Sequence, residues 1–356
     1  MKFNKDSKIF VAGHKGMVGS AITRLLEKEG YSNVITAGRD KADLTRQDET
    51  EAFFKEAAPE FIFLAAAKVG GIAANNRYKA EFIYNNLLIA ANVINSTYKY
   101  GQGKILNLGS SCIYPKHAPQ PMKEEHLLTG KLEPTNEPYA IAKIAAIKLC
   151  SSFNYQYATE HISLMPTNLY GYNDNYDLEK SHVLPALLRK AVLARALETG
   201  NHELIKKDVD RHPLGNGLDD KINPDDFASY EGALAECGIF PDRINVWGTG
   251  NVKREFLFVD DLADAALFFM EKGTPENMGE FVNIGTGEDV SIKELAHTIK
   301  DITGFEGGLN FQTDKPEGTP RKLMDVSKAE SVGWKAKTAL DKGIKMVWKD
   351  YMKHYE

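Results

Sequence analysis

The sequence predicts an α/β fold in which a doubly wound parallel sheet is followed by a smaller C-terminal α/β lobe. Three observations support this prediction. Short apolar runs alternate with amphipathic segments through the first half of the chain. The first of these runs ends in a glycine-rich turn that leads directly into a helical pattern. The rhythm of strands and helices breaks after about residue 197 and resumes near residue 244.

Five apolar runs supply the strands of the predicted sheet, and a helical pattern follows each of them. The runs are "KIFVAG", "NVITAG", "FIFLAAA", "KILNLGSS" and "HISLMPTNLYG". This alternation is typical of parallel strands joined by helices that cover both faces of the sheet. Two helical segments, "FIYNNLLIAANVINSTYKYG" and "PYAIAKIAAIKLCSSFNYQYA", are apolar on more than one side. We therefore expect them to pack against something beyond the sheet.

Composition argues for a small-molecule enzyme rather than a nucleic-acid or membrane protein. The 356 residues suffice for about two domains or one enlarged α/β unit. The formal net charge is −5, and the 44 basic and 49 acidic residues are mixed along the chain. The first apolar run is too short for a signal peptide, so we expect a cytoplasmic protein. Cys112, Cys150 and Cys237 lack metal-ligand spacing, and we expect free thiols and no metal site.

The second half of the chain begins with a change of character. Residues 197–243 are rich in Asp, Gly and Asn and have few apolar anchors, which predicts a surface insertion. Strand and helix patterns resume at "INVWGTG", "REFLFVDDLADAALFFMEK", "EFVNIGTG" and "SIKELAHTIKDITG". We expect a first domain over residues 1–180, to which residues of about 244–290 partly return. A second lobe over residues 181–356 would contain the insertion.

The turn after the first strand, "GHKGMVG", has the spacing of a dinucleotide-binding loop. Gly13, Gly16 and Gly19 lie between a strand and a helix. Small residues let the backbone turn sharply and approach a pyrophosphate, which the free N–H groups of the helix N-terminus can bind. Because the motif lies within a strand–helix–strand rhythm, we interpret it as a Rossmann-type nucleotide site.

The end of the second strand indicates which dinucleotide binds. An acidic residue usually contacts the ribose hydroxyls of NAD there, whereas "VITAGRD" presents Arg39 first, with Lys15 nearby in the glycine loop. Two cations suit the 2′-phosphate of NADP(H), which we favour. Asp40 follows Arg39 directly and leaves open that a ribose hydroxyl is bound instead.

Three further residues predict a carbonyl reductase site. In "NEPYAIAK", Tyr139 and Lys143 are four residues apart, so they are neighbours on one helix face, and the ammonium should lower the pKa of the phenol. The fourth strand ends in "LGSSCIYP", which places Ser110 and Cys112 at the ligand edge of the sheet. Ser110 would orient a carbonyl, Tyr139 would protonate the oxyanion, and Lys143 would hold the cofactor ribose.

These motifs together resemble the extended short-chain dehydrogenase/reductase family. Within it, the chain resembles the enzymes that epimerise GDP-4-keto-6-deoxy-D-mannose at C3 and C5 and reduce it at C4 with NADPH. The resemblance runs through "VAGHKGMVGSAI", "LAAAKVGGI", "LGSSCIYPK", "LEPTNEPYAIAKIA", "MPTNLYG", "SHVLPALLR", "REFLFVDDLA" and "GTPRKLMDV". It leaves out only about residues 197–243.

The resemblance implies roles for residues that the general reductase motif does not include. Cys112 and His182 match the family's base and acid for epimerisation: a thiolate would remove the protons beside the ketone, and the histidine would return them. A structural thiol and a helix-capping histidine are the alternatives. Asp260 and Asp261 in "FVDDLA" are expected to cap the following helix.

The resemblance also implies binding residues, an oligomeric state and alternatives. Lys190, Trp247, Arg254 and Arg321 would bind the GDP-sugar, and a homodimer would form through the helices around residues 80–100 and 139–157. A related GDP-4-keto-6-deoxy-heptose as substrate, reduction without epimerisation, and a non-catalytic NADP-binding subunit stay open. The residues expected at NADP(H) are Gly13, His14, Lys15, Gly16, Met17, Val18, Gly19, Arg39, Asp43, Leu44, Ala66, Lys143, Pro166, Asn168, Leu169 and His182.

Overall fold

A computed structural model describes residues 2–101, 103–315 and 318–355, so the predicted boundaries at residues 1 and 356 lie outside it. Short strands make up its sheets. In chain order they are β1 (Ile9–Ala12), β2 (Val34–Ala37), β3 (Phe61–Leu64), β4 (Lys104–Leu108), β5 (Ile162–Pro166), β6 (Asn168–Tyr170), β7 (Arg243–Trp247), β8 (Lys253–Arg254), β9 (Phe256–Phe258), β10 (Val282–Ile284), β11 (Val290–Ser291), β12 (Gly308–Gln312) and β13 (Arg321–Lys322).

Helices connect these strands and cover the sheet. In chain order they are α1 (Met17–Lys28), α2 (Gln47–Ala57), α3 (Ile72–Arg77), α4 (Lys79–Ser96), α5 (Glu137–Tyr157), α6 (Val183–Thr199), α7 (His202–Arg211), α8 (Phe227–Glu236), α9 (Val259–Lys272), α10 (Pro275–Met278), α11 (Ile292–Thr303), α12 (Ser327–Val332) and α13 (Leu340–Met352).

The central sheet has six strands in the order β10-β5-β4-β3-β1-β2, and each neighbouring pair is parallel. Strands β1 and β3 are buried along their whole length, as apolar runs covered on both faces must be. The chain winds one way from β1 to β2 and the other way from β3 onward. The predicted doubly wound α/β fold is confirmed, and its switch point lies between β1 and β3.

The C-terminal part forms a smaller α/β lobe with its own apolar core, packed around α6, α11 and α13. Its small sheets have the strand orders β11-β8-β13 and β12-β7. The predicted fifth run divides in two: β5 stays in the central sheet, whereas β6 pairs with β9. Strand β10 comes late in the chain, yet it pairs with β5 in the central sheet.

The prediction that residues 197–243 form a surface insertion is wrong. They form α7 and α8, and Leu204, Ile205 and Leu234 are buried in the same core as Leu188 of α6. The few apolar residues of this segment recur at helical spacing, so each of the two helices has a buried stripe although most of the segment is polar.

A fully buried ion pair also anchors this segment. Arg189 Nε of α6 donates to Asp208 Oδ1 of α7 at 2.8 Å, and neither side chain is exposed. The hydroxyls of Tyr351 and Tyr355 donate to the other oxygen of Asp208. Residues 197–243 are therefore tied through Asp208 to α6 and to the C-terminal helix.

Asp260 and Asp261 are structural, but they do not cap α9 as expected, because Phe258 occupies the N-cap position. Asp261 instead accepts hydrogen bonds from the backbone N–H groups of Lys337 and Thr338, at 3.1 and 2.8 Å. Asp260 forms an ion pair with Arg24 of α1. The two carboxylates thus join α9 to distant parts of the chain.

None of the helices in the described ranges combines the length and the apolar character that a membrane crossing requires. Within the same ranges, the His, Cys, Asp and Glu side chains form no group of three that could hold a metal ion. The three cysteines are free thiols.

Candidate active site

One cleft of about 1340 Å³ opens at the carboxyl ends of the central strands and runs on between the sheet and the smaller lobe. It is large enough for two ligands of nucleotide size. Every residue that the sequence analysis placed at the cofactor, at the reacting sugar or at the GDP group lines this cleft.

The glycine loop turns so tightly that two of its glycines have no room for a side chain. Gly13 has φ of +87°, and a Cβ there would lie 2.7 Å from the backbone nitrogen of Ala66. A Cβ on Gly19 would lie 2.2 Å from the carbonyl oxygen of Gly13. These close approaches let α1 begin at the cleft floor, with Gly16 at its N-cap position.

Opposite charges meet at the end of β2. A Cβ built on Gly38 would lie 3.3 Å from Lys15 Nζ and 2.4 Å from Asp40 Oδ1, so both groups flank this turn. Arg39 is exposed at the same place. Hydrogen bonds from Thr45 lower the pKa of Asp43, and the charge of Arg39 adds to the effect. The end of β2 therefore presents both cations and carboxylates to the cleft.

Ser110 lies in the turn after β4, and Tyr139 and Lys143 lie in α5. Lys143 Nζ donates to the carbonyl of Leu108 at 2.8 Å and lies 5.8 Å from the centre of the Tyr139 ring. Burial lowers the pKa of Lys143 to about 8. Pro138, in the first turn of α5, suits a helix start, and the next residue, Tyr139, lines the cleft.

The expectation that Lys143 lowers the pKa of Tyr139 is wrong for the protein alone. Burial raises the pKa of Tyr139, the nearby charge of Cys112 raises it further, and a hydrogen bond with Ser110 offsets part of the rise. The ammonium of Lys143 points to a backbone carbonyl rather than to the phenol oxygen. Tyr139 is therefore a neutral hydroxyl, which is the form that can donate a proton.

Cys112 sits in a short 3₁₀ turn over Ser111–Ile113, directly after β4. Its backbone N–H donates to Ser110 Oγ at 3.3 Å. Its sulfur accepts from Asn136 Nδ2 at 3.3 Å and from Lys322 Nζ at 3.6 Å. Sequence reasoning missed both donors. Asn136 directly precedes the Tyr139 helix and Lys322 follows Arg321, but neither neighbour indicates a contact with Cys112.

His182 occupies the N-cap position of α6, and its side chain lines the cleft. Its surroundings lower the pKa of the imidazole, chiefly through loss of solvation and then through the charge of Lys322. A lower pKa makes the protonated imidazole a stronger proton donor. Cys112 and His182 thus enter one cleft from separate elements.

The residues expected at the GDP group lie toward the smaller lobe. Lys190 Nζ donates to the carbonyl of Asn245 at 3.1 Å, and burial lowers the pKa of Lys190. Trp247 is 62% exposed, although it belongs to a strand. Arg254 Nη1 donates to the carbonyl of Lys253 at 2.7 Å, and Arg321 forms an ion pair with Asp289.

Residues 197–243 also contribute to the cleft. The sequence analysis named none of them as site residues. Leu214, Asn216 and Leu218 line the cleft from a turn in which Gly215, Asn216 and Gly217 all have positive φ. Asp219 holds this turn by accepting from the backbone N–H groups of Leu214 and Gly215. The run "PLGNGLDD" is a turn signal, but its place beside the cleft depends on tertiary packing.

The chain is similar to known proteins over most of its length. A model described as the NAD dependent epimerase/dehydratase family matches residues 9–208 and 230–285. GDP-L-fucose synthase 1 of Arabidopsis thaliana is 48% identical over 351 residues, which are 99% of this chain and 95% of that protein. Its alignment extends across residues 197–243, which the motif resemblance left out.

Solved structures from Campylobacter jejuni are also similar. A GDP-6-OMe-4-keto-L-xylo-heptose reductase has a TM-score of 0.90 and 41% identity, with 99% of each chain covered. A GDP-mannoheptose C4 reductase with NADP bound has a TM-score of 0.86 and 42% identity, with 98% of this chain and 99% of that one covered. The chain therefore belongs to the NAD dependent epimerase/dehydratase family, the extended short-chain dehydrogenases/reductases that its motifs resemble.

Proposed function

We propose that the protein is an NADP-dependent epimerase and reductase that converts GDP-4-keto-6-deoxy-D-mannose into GDP-L-fucose. One observation carries this proposal: a single cleft contains both the Ser110, Tyr139 and Lys143 group and a second pair, Cys112 and His182. The first group suits carbonyl reduction, and the second supplies the base and acid that epimerisation requires. The similarity to a GDP-L-fucose synthase supports the same substrate.

The cleft fits NADP(H). His14 Nδ1 is buried in the glycine loop and has no hydrogen-bond partner among the described residues, so it is available to a ligand. The N-terminus of α1 and the glycines would hold the pyrophosphate, and Lys15 with Arg39 would bind the 2′-phosphate. When bound, NADPH would supply the hydride for C4 of the sugar.

The reductase group works through proton placement. Ser110 would orient the 4-ketone by hydrogen bonding, and Tyr139 would donate its hydroxyl proton to the oxygen as negative charge develops there. Lys143 would hold the ribose beside them. The neutral, buried state of Tyr139 suits a proton donor, and its hydrogen bond with Ser110 keeps the two hydroxyls together.

Epimerisation would use the acidity that the 4-ketone gives to the protons on C3 and C5. The Cys112 thiolate would take such a proton, and the electron pair would pass to the ketone oxygen, where Ser110 and Tyr139 stabilise the enolate. His182 would return a proton to the carbon from the other face of the sugar. Because each proton removed is replaced, this step changes stereochemistry and needs no oxidant.

We assign the substrate's GDP group to the part of the cleft lined by Lys190, Trp247, Arg254 and Arg321. Arginine forks suit phosphate oxygens, and an exposed tryptophan can stack on a base. In this proposal residues 1–180 form the cofactor domain, partly completed by residues of about 244–290, and residues 181–356 form the substrate lobe.

A GDP-4-keto-6-deoxy-heptose is the second candidate substrate. It is favoured by the similarity to two heptose reductases, at 41% and 42% identity over nearly the whole chain. The same cleft would then reduce C4 with or without epimerisation. A direct comparison of the two sugars as substrates separates the candidates.

The proposal also includes a homodimer in the cytoplasm. Helices α4 and α5 pack on the sheet, yet each also presents large apolar side chains outward. Tyr84 of α4 is 64% exposed and Ile141 of α5 is 41% exposed. Such side chains on adjoining helices suit the interface with a second copy.

Purified protein, NADPH and GDP-4-keto-6-deoxy-D-mannose in deuterated water test the proposed function. We expect NADPH consumption together with deuterium at C3 and C5 of the product. Cys112→Ser should nearly abolish the deuterium exchange, because an alcohol is a far weaker acid than a thiol. Slow NADPH oxidation should persist in this variant and yield an unepimerised deoxy sugar, since the reductase group is intact.

Cys150→Ala is the matched control, because Cys150 is buried in α5 and does not line the cleft. It should exchange and reduce as the wild type does. Undiminished exchange in Cys112→Ser would assign the base elsewhere. NADPH oxidation with the heptose alone would replace the proposed substrate by the second candidate.

A further inference from the structure

Two donors from distant parts of the chain converge on the sulfur of Cys112. Asn136 Nδ2 lies 3.3 Å from Sγ, and Lys322 Nζ lies 3.6 Å from it. Both distances are within hydrogen-bonding range for sulfur. A neutral thiol is a weak acceptor, whereas a thiolate accepts strongly and is stabilised by a cation. Two donors on one sulfur therefore suit the ionised form.

The backbone on either side of Lys322 is held in place. The N–H of Leu323 donates to Gln120 Oε1 at 2.8 Å, and the N–H of Met324 donates to Glu255 Oε2 at 3.0 Å. On the other side, the carbonyl of Pro320 accepts from the N–H of Lys253 at 2.9 Å. Fixed hydrogen bonds before and after Lys322 limit where its ammonium can reach.

Asn136 does not make the helix-capping hydrogen bond that its position allows. It sits at the N-cap of α5, where an asparagine oxygen usually accepts from the N–H groups of the first helical turn. Here the amide nitrogen donates to Cys112 instead. Its oxygen is buried with no hydrogen-bond partner among the described residues. A local rule broken at a functional site indicates that the contact with sulfur matters more than the cap.

The other charged and titratable groups around Cys112 do not replace this cation. Tyr139 is neutral, and Lys116 and Glu133, which also line the cleft, pair with each other at 2.9 Å. Lys143 points to the carbonyl of Leu108. His182 lies close enough to Lys322 that, after burial, the charge of Lys322 also lowers the pKa of the imidazole.

We propose that Lys322 and Asn136 hold Cys112 as a thiolate and aim it at the sugar, as positioning residues for the proposed epimerisation. This inference rests on the proposed function for the reaction that the thiolate serves. The alkylation test below does not depend on that function. In the step itself, the thiolate accepts the proton from C3 or C5 and becomes a thiol, while the carbon's electron pair forms the enolate. The positive charge of Lys322 balances the thiolate before the transfer.

The test measures how fast iodoacetamide alkylates Cys112 as a function of pH, with the modified peptide quantified by mass spectrometry. Only the thiolate reacts, so the midpoint of the profile reports its formation. Lys322→Met removes the cation at similar length and should raise the midpoint by about one pH unit, which is about tenfold slower alkylation near neutrality. Lys322→Arg should restore most of the shift.

Lys253→Met is the matched control, because Lys253 lies on β8, next to β13 in the same sheet, and does not line the cleft. Its profile should match the wild type. Asn136→Ala should raise the midpoint as well, which provides a second variant if Lys322→Met folds poorly. An unchanged midpoint in Lys322→Met or Asn136→Ala, in protein that still binds NADPH, would overturn the inference.

Exchange of the C3 and C5 protons separates this inference from the proposed function. If both hold, the pH profile of exchange shifts in Lys322→Met by the same amount as the alkylation profile. If the alkylation profile shifts in the variants but the wild type shows no proton exchange, the proposed function is wrong and the thiolate assignment holds. If the wild type exchanges these protons but the alkylation profiles of the variants do not shift, the thiolate assignment is wrong and the proposed function holds.

Discussion

At the scale of single residues, Lys143 is a buried cation that lowers the stability of the fold. Its ammonium is buried, and its only described hydrogen bond is to the carbonyl of Leu108. Burial lowers the pKa from 10.5 to about 8. Between these values the unfolded chain holds a proton that the folded protein has lost, so stability rises with pH across that window. Below about pH 8 the cost of burial is fully present.

Lys143→Met should therefore stabilise the nucleotide-free protein near neutral pH while reduction is lost. We expect a gain of about 1–3 kcal/mol near pH 7, which shrinks as the pH approaches 10. Urea unfolding of both proteins at the two pH values measures it. The same difference at both pH values would show that the charge of Lys143 is not the cause.

Arg39 provides a test of the preference for NADP(H) over NAD(H). If it binds the 2′-phosphate, Arg39→Ala should weaken NADPH binding by about 1.5–3 kcal/mol and leave NADH binding nearly unchanged. Fluorescence titration with each nucleotide measures the ratio. Lys41→Ala is a suitable control, since Lys41 is exposed two residues away and does not line the cleft. Equal losses for the two nucleotides would instead favour Asp40 and a ribose hydroxyl.

At the scale of elements, α6 and α7 are joined through a charge pair with no access to water. Arg189 also donates to the carbonyls of Tyr176 and Pro213, so its guanidinium ties the segment before α6 to the turn after α7. Lys190 follows Arg189 in α6, and His182 is the N-cap residue of this helix. Its anchoring therefore bears on the geometry of the cleft.

Asp208→Asn should destabilise the protein by about 3–5 kcal/mol, because it leaves the charge of Arg189 buried without a counterion. Thermal and urea unfolding measure the loss. Glu203→Gln, which breaks the exposed Glu203–Lys207 pair on the same helix, should change stability little. Similar effects of the two substitutions would mean that burial does not amplify the Asp208 pair.

At the scale of the whole molecule, the exposed side chains of α4 and α5 bear on assembly. Tyr84→Glu or Ile141→Glu should convert the proposed dimer into monomers, because each buries a charge in an apolar interface. Size-exclusion chromatography with light scattering measures the mass. Leu128→Glu, at a residue that is 60% exposed outside these helices, should leave the dimer intact. A monomeric wild type would contradict the proposed interface.

Local patterns were enough to predict five of the six strands of the central sheet and many of the residues that line the cleft. The strands β1 to β5 follow from apolar runs, and Gly13 and Gly19 follow from a turn that leaves no space for side chains. The spacing of Tyr139 and Lys143 places them on one helix face. Each of these depends on backbone geometry or on neighbours a few residues apart, and such constraints can be read along the chain.

Tertiary structure alone decided the environment of the candidate catalytic groups. Lys322 reaches Cys112 from 210 residues away, and no periodicity relates the two. The pKa of Tyr139 rises because burial outweighs a cation that the fold directs elsewhere. Residues 197–243 join the core because their few apolar side chains meet α6. Burial and long-range contact arise only when distant segments pack together, so the sequence determined which groups are present, and the fold decided what they touch.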